Sequence, residues 1–263
     1  MSLFKLMRVV LLLSILFVIV VSTWMTERRM AAWERPILVT IYPIAADDDP
    51  ATLRFVESVE LEDFAEINRF MNREALPYGF AVTPAFRFQL APTSQELPPP
   101  VPAQFEAAEI GWWSLKMRWW AWMKDLRGDL VSPDIQMFVL YHRLDGKSEA
   151  GISVGMRKGR YGIVKAYARA SMADTNVMVF THEMLHVLGA TDKYVLTSGE
   201  PIYPEGYAEP NKRPLFPQNR AEIMGMRIPV NSFSSVMADS LEQCKIGRQT
   251  AEEIGFFAQL QDL

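Results

Sequence analysis

One cysteine in 263 residues, Cys244, excludes an intrachain disulfide and any cysteine-rich metal site, so packing must hold the fold. Histidine is nearly as scarce, with three copies. A basic excess is missing too. The 27 Lys and Arg stand against 31 Asp and Glu, a formal net charge of -4 that provides no field for nucleic acid. No internal repeat is present. Hydrophobic residues make up 49% of the chain, which supports a substantial core even when the apolar amino terminus is set aside.

Charged side chains are absent from Val9 to Met25, an apolar run preceded by Lys5 and Arg8. As a helix this run spans about 25 Å, and Leu6, Met7 and a snorkelling Arg8 extend it toward a hydrocarbon core of about 30 Å. A secretory signal peptide would need a small-residue cleavage site, and no clean Ala-x-Ala follows, so the run reads as an uncleaved signal anchor. Arg28 and Arg29 place basic charge on the other flank as well, so orientation rests on the very short amino-terminal tail, which favours export of the rest. The expected organisation is a single-pass membrane segment over 1–29 and one domain over 30–263. That domain is expected on the extracytoplasmic side, periplasmic if the source is bacterial.

Two of the three histidines fall in Thr181-His182-Glu183-Met184-Leu185-His186-Val187-Leu188-Gly189-Ala190-Thr191-Asp192. A helical turn of 3.6 residues stacks His182 and His186 on one face, where both rings reach a single ion. Glu183 lies about 100° around the axis, free to act as a general base on a metal-bound water. Gly189 can adopt the left-handed conformation that ends a helix, turning the chain so that Asp192 becomes the third ligand. Two neutral imidazoles and one carboxylate leave zinc a net positive charge, which lowers the pKa of bound water toward about 7. The alternative is a core helix whose histidines only bond to neighbours. His142, in the apolar run Ile135 to Tyr141, reads as a satisfied strand histidine and not as a ligand.

This segment resembles the extended His-Glu-x-x-His-x-x-Gly-x-x-His signature of the metzincin clan of zinc peptidases, with Asp192 in the last position, as in some members. Asp192-Lys193-Tyr194 is also similar to the Asp-x-Tyr of immune-inhibitor-A type bacterial peptidases. The resemblance implies His182, His186 and Asp192 as zinc ligands and Glu183 as catalytic base. It covers about fourteen residues. It also implies a methionine turn beneath the metal, for which Ser235-Val236-Met237 and Ala221-Glu222-Ile223-Met224-Gly225 are the two candidates. Zincins of another branch take a downstream glutamate as third ligand, so Glu222 stays open beside Asp192, with Glu205 and Glu209 behind it.

The implied fold is α/β (α+β): a zincin-like mixed sheet with an active-site helix and an irregular carboxyl-terminal subdomain, behind the transmembrane helix. Periodicity predicts strands at Ile37–Ile44, Phe80–Leu90 and Ile135–His142, and helices at Leu61–Ala75 and Ala107–Leu126. Gly151–Met156 and Tyr161–Ala168 form a predicted hairpin, the second strand a candidate substrate-binding edge. Asp174 or Thr175 is the expected cap of the motif helix, which runs to about Leu188. A proline-rich irregular stretch then reaches about Asn219, and Gln249–Leu260 closes the chain as a helix. Tyr194, Tyr203 and Tyr207 are expected to pin that irregular stretch to the surface, the alternative being a hydrogen bond to a developing oxyanion. Trp112, Trp113, Trp119, Trp120 and Trp122 are expected in the core. With Lys116, Arg118, Lys124 and Arg127, they would alternatively lie at a membrane interface. Asp47-Asp48-Asp49 reads as a solvated turn, not a calcium site.

The expected function is a membrane-anchored zinc metalloendopeptidase acting on a protein or peptide. The alternatives are zinc hydrolysis of another amide, as in cell-wall material, and an anchored, non-catalytic binding module with a vestigial zinc site. The sequence leaves the oligomeric state and the cleavage specificity open.

Overall fold

Alternation of large apolar side chains along three short runs builds the centre of the molecule. The computed structural model describes residues 3–79, 84–102, 107–127, 129–144 and 153–257, without the side chains of residues 3, 15, 16, 19, 20, 22, 23, 26, 27, 107, 108, 127 and 158. Phe80 to Thr83, Gly151, Ile152 and Ala258 to Leu260, which belong to predicted elements, lie outside the described residues. The strands β1 (Ile37–Ala45), β2 (Phe86–Leu90), β3 (Ile135–His142), β4 (Val154–Met156) and β5 (Tyr161–Tyr167) form one sheet in the order β2-β1-β3-β5-β4. All neighbours are parallel except β4, which runs antiparallel to β5. The fold is therefore mixed α/β on a five-stranded mixed sheet.

The central strands are covered on both faces, which explains their near-continuous apolar sequences. Ile37, Val39, Ile41, Ile135, Met137, Val139, Val164 and Ala166 face one core, while Tyr42, Ile44, Phe138, Leu140, Tyr161 and Ile163 face the other. The first core is closed by Ile67, Phe70 and Met71 of a helix at Ala65–Ala75 and by Val177, Phe180, Met184 and Leu185 of the motif helix. The second is closed by Trp113, Met117 and Ala121 of a helix at Ala107–Arg127. Burying each such side chain contributes about 1.5–3 kcal/mol, so the sheet is a rigid platform for the motif helix.

Several expectations are corrected at this level. The predicted helix at Leu61 begins with a 3-10 turn, Leu61–Phe64, because Glu60 and Asp63 cap each other's backbone there. Of the five tryptophans, Trp113 is buried, but Trp112, Trp119 and Trp122 lie on the solvent side of their helix, beside exposed Leu115 and Leu126. Asp47 and Asp49 are engaged rather than merely solvated. Asp49 caps the helix at Pro50–Glu57 through Ala51 N, and Asp47 accepts from Arg143 N at 2.7 Å.

The amino-terminal helix runs Leu3–Ala32. Its last turn is docked: Met30 and the following Trp33 are buried, Trp33 Nε1 donates to Ile254 O at 2.8 Å, and Arg29 pairs with Asp134. The remainder exposes Phe4, Leu6, Met7, Val9 to Leu13, Phe17, Val18, Trp24 and Met25. Among the described residues, no helix is long and apolar enough to cross a membrane. Ile15, Leu16, Ile19 and Val20 of the predicted anchor have side chains outside the described set.

Candidate metal centre

The motif helix, Ala173–Leu188, is almost wholly buried from Val177 onward. No side chain caps its first turn. A 3-10 turn at Ala170–Met172 leads the chain directly into it, and Thr175 Oγ1 instead donates to Asp239 O. At the far end Gly189 takes φ +116°, and its N–H returns to Leu185 O and His186 O, each at 3.0 Å. This left-handed termination reverses the chain within one turn of His186.

The reversal brings three side chains together. His182 Nε2 and His186 Nε2 are 3.1 Å apart, and Asp192 Oδ1 lies 3.3 Å from the first and 3.1 Å from the second. Each ring's other nitrogen faces a carbonyl: His182 Nδ1 lies 3.0 Å from Ile223 O, and His186 Nδ1 lies 2.8 Å from Ala190 O. A carbonyl can only accept, so each Nδ1 carries a proton, and the neutral form of each ring presents its Nε2 lone pair to the cluster. Three acceptor atoms thus converge, and Asp192 Oδ1 is buried without a hydrogen bond.

The residues fit a metal. Zinc bonds of 2.0–2.1 Å at tetrahedral angles set ligand atoms about 3.3 Å apart, close to the observed triangle. The side chains of His182, His186 and Asp192 are 3, 17 and 31% exposed, so the cluster is buried at its base and open on the Asp192 side. Electrostatics agree. Burial opposes charge on Asp192, but the two imidazoles outweigh it and hold the carboxyl well below the usual range. Burial likewise works to lower the His186 pKa, yet Asp192 and Ala190 O raise it. The cluster demands positive charge, which a proton supplies in acid and a divalent cation supplies without one.

Glu183 lies beside the cluster and is 5% exposed. Burial raises its carboxyl pKa, against the opposing pull of His182 and His186. Its Oε2 is buried with no partner, free to take a proton. The strand β4 comes so close that a Cβ on Gly155 would stand 2.3 Å from Glu183 O and 2.5 Å from His186 Cβ. Only glycine permits this approach.

The Met224 turn, not the Met237 segment, sits against the site. Met224 is fully buried and next to Ile223, whose carbonyl holds His182, whereas Met237 is 44% exposed on the strand Ser235–Met237. Glu222 is not among the clustered ligands. Its carboxylate is saturated: Oε2 accepts from Met224 N and Gly225 N, and Oε1 from Gly247 N and Thr250 Oγ1. Burial raises its pKa, with the Thr250, Gly247 and Met224 donors and the Lys193 charge opposing. The glutamate recognised in the sequence as a possible ligand is instead the brace of the turn. Glu209 binds the Asn219 side chain, and neither it nor Glu205 joins the cluster.

Two further expectations change. Tyr194 reaches the site: its ring lies 6.5 Å from that of His182, and its phenol is near enough to feel the Asp192 charge. Burial and the Asp192 charge push that phenol up to about 12. Tyr203 and Tyr207 pair with each other on the irregular segment instead. The strand Tyr161–Tyr167 is interior, between β3 and β4, so β4 is the sheet edge beside the motif helix. His142 ends β3 away from the cluster, its Nε2 buried without a partner, and burial lowers its pKa. Sequence reasoning missed Gly155, Thr191, Lys193 and Glu253. The glycine in a short predicted strand was the one available signal. No protein-family model matches this chain, and no curated protein shows significant similarity to it.

Proposed function

We propose that the chain is a zinc-dependent metallopeptidase of metzincin-like organisation, held at a membrane by its amino-terminal helix. The observation that carries this reading is the triangle of lone pairs from His182, His186 and Asp192, with the unpartnered Glu183 oxygen beside it. Bound zinc supplies Lewis acidity toward a peptide carbonyl and a water of lowered pKa. Glu183 Oε2 takes the proton from the attacking water and returns it to the leaving amine, a role suited to its raised pKa. The close approach of Gly155 lets β4 pack directly on the backbone that carries Glu183. Among the described residues the outer edge of β4 is unpaired, and it offers backbone groups to an extended peptide laid along the cluster.

The membrane reading is supported by the row of exposed apolar side chains on the amino-terminal helix and by its docked last turn. Together they make a stalk whose root is part of the domain and whose described remainder exposes many apolar side chains. In this reading the site lies on the extracytoplasmic side.

The test is a comparison of metal content and cleavage. Wild type should bind one zinc and cut members of a peptide library. Glu183→Ala should keep the zinc and lose at least about a hundredfold in rate, the scale of general-base catalysis. His182→Ala should lose the metal. Hydrolysis by Glu183→Ala at the wild-type rate would remove the mechanism, and stoichiometric zinc without peptide turnover in wild type would leave a binding module.

A further inference from the structure

Asp192 differs from the other two ligands in standing on a loop. The helix fixes His182 relative to His186, but nothing in that helix fixes an oxygen six residues beyond its second histidine. A separate device performs this task. Glu253, the last residue of the short helix Arg248–Glu253, grips both chain neighbours of Asp192 with one carboxylate. Its Oε2 accepts from Thr191 N at 2.9 Å and its Oε1 from Thr191 Oγ1 at 2.8 Å. Lys193 Nζ lies 2.9 and 2.8 Å from the same two oxygens. The ammonium also donates to Thr191 O at 2.9 Å and Thr191 Oγ1 at 2.6 Å, closing a ring of contacts around the ligand's backbone. The Lys193 side chain is 4% exposed, so this is a buried charge committed to one geometry.

The carboxylate is itself held. Thr250, one turn earlier, donates to Glu222 Oε1, and the following Ile254 carbonyl takes Trp33 Nε1. Lys193 N donates to Met224 O at 3.0 Å, so the same short helix and the Met224 turn lock both sides of the ligand loop.

We propose that Glu253 is the positioning residue of the metal centre, fixing Asp192 through Thr191 and Lys193. This inference rests on the zinc reading above. It gives the polar face of the terminal helix a function beyond packing: the two imidazoles alone make a bidentate site, and the Glu253 bracket brings in the third ligand already aligned. Partners outside the ligand set that orient the ligands typically carry a 10–100-fold share of metal affinity.

The experiment uses the full chain in detergent and measures zinc affinity by chelator competition, the visible spectrum of the cobalt-loaded protein, and melting of the metal-free form. Glu253→Met strands a buried ammonium and should lower the melting temperature for that reason alone. The double variant Lys193→Met with Glu253→Met leaves no unpaired charge, and water can reach the exposed Thr191 bonds. Its metal-free melting should return near wild type, while zinc binds roughly 10–100-fold more weakly and the cobalt bands shift. A purely structural tie would restore both together. Wild-type zinc affinity and cobalt spectrum in the double variant overturn the proposal. If that variant does not fold, Thr191→Val, which removes only the hydroxyl contacts, should weaken zinc by about threefold to tenfold, and an unchanged affinity overturns it. A wild type that binds no zinc sinks the peptidase reading and this inference with it; wild-type binding unchanged by the substitutions sinks this inference alone.

Discussion

His182 Nδ1 and the Ile223 carbonyl oxygen are 3.0 Å apart, and this one bond sets both the tautomer and the tilt of the deepest ring in the cluster. Ile223 is in turn placed by Glu222, whose two oxygens take four donors from the turn and the terminal helix. Glu222→Gln should therefore be costly despite its near-identical shape. One amide nitrogen must face two donors, leaving buried N–H groups unsatisfied, and the expected loss is about 3 kcal/mol in denaturant unfolding. A loss below about 1 kcal/mol would show that the turn does not depend on this carboxylate.

Gly155→Ala tests the approach of β4 to the motif helix. The added methyl meets backbone at Glu183 O and the Cβ of His186, neither of which can swing aside as a flexible side chain would. Strand and helix must separate, at about 1–3 kcal/mol for an overpacked contact. The separation also shifts the backbone that carries Glu183 and His186. Cleavage should fall by more than the stability loss explains, measured well below the variant's melting temperature. Wild-type turnover in a folded Gly155→Ala protein would detach β4 from catalysis.

The sequence exposed those parts of the site that obey local rules. His182, His186 and the Gly189 reversal follow from helix periodicity and left-handed backbone, and the structure brings Asp192 to them as that geometry requires. The central strands were legible for a similar reason, since burial on both faces leaves an almost unbroken apolar run. Glu222 was visible as a carboxylate at a suggestive distance, but a ligand and a brace are the same letter. What separates them is the set of N–H groups that tertiary folding delivers, from Gly247 and Thr250 among others. Glu253 falls inside the predicted helix Gln249–Leu260 with no local mark of a role at the metal centre. Its pairing with Lys193 spans sixty residues and leaves no periodic trace.

Tyr194 offers a narrower test. Its phenol is raised to about 12 by burial and by the Asp192 charge, so it stays protonated through the physiological range, a hydroxyl beside that carboxylate. Tyr194→Phe keeps the ring beside His182 and deletes only the hydroxyl. Zinc affinity should fall by about tenfold, the lower end for a group that orients a ligand. An affinity equal to wild type would mean that Asp192 does not need the phenol, and a complete loss of metal would mean that Tyr194 does more than orient it.

Acid should release the ligand loop through Glu253. Burial works to raise its pKa, but Lys193 and the Thr191 donors outweigh that and hold the carboxyl below its ordinary value. A carboxylate lowered on folding contributes stability that is fully present above the unfolded value, about 4.3, and is lost as pH falls through the lower folded one. Wild type should therefore become less stable below about pH 4.5, and part of that slope belongs to Glu253. In the Lys193→Met, Glu253→Met double variant this part is gone. Its metal-free unfolding should be flatter with pH across the same window, with other carboxylates, including Asp192, still contributing to both proteins. Parallel curves for the two proteins between pH 5 and pH 2.5 would show that Glu253 titrates in the folded chain as it does in the unfolded one, and the bracket around Asp192 would then carry no net electrostatic hold.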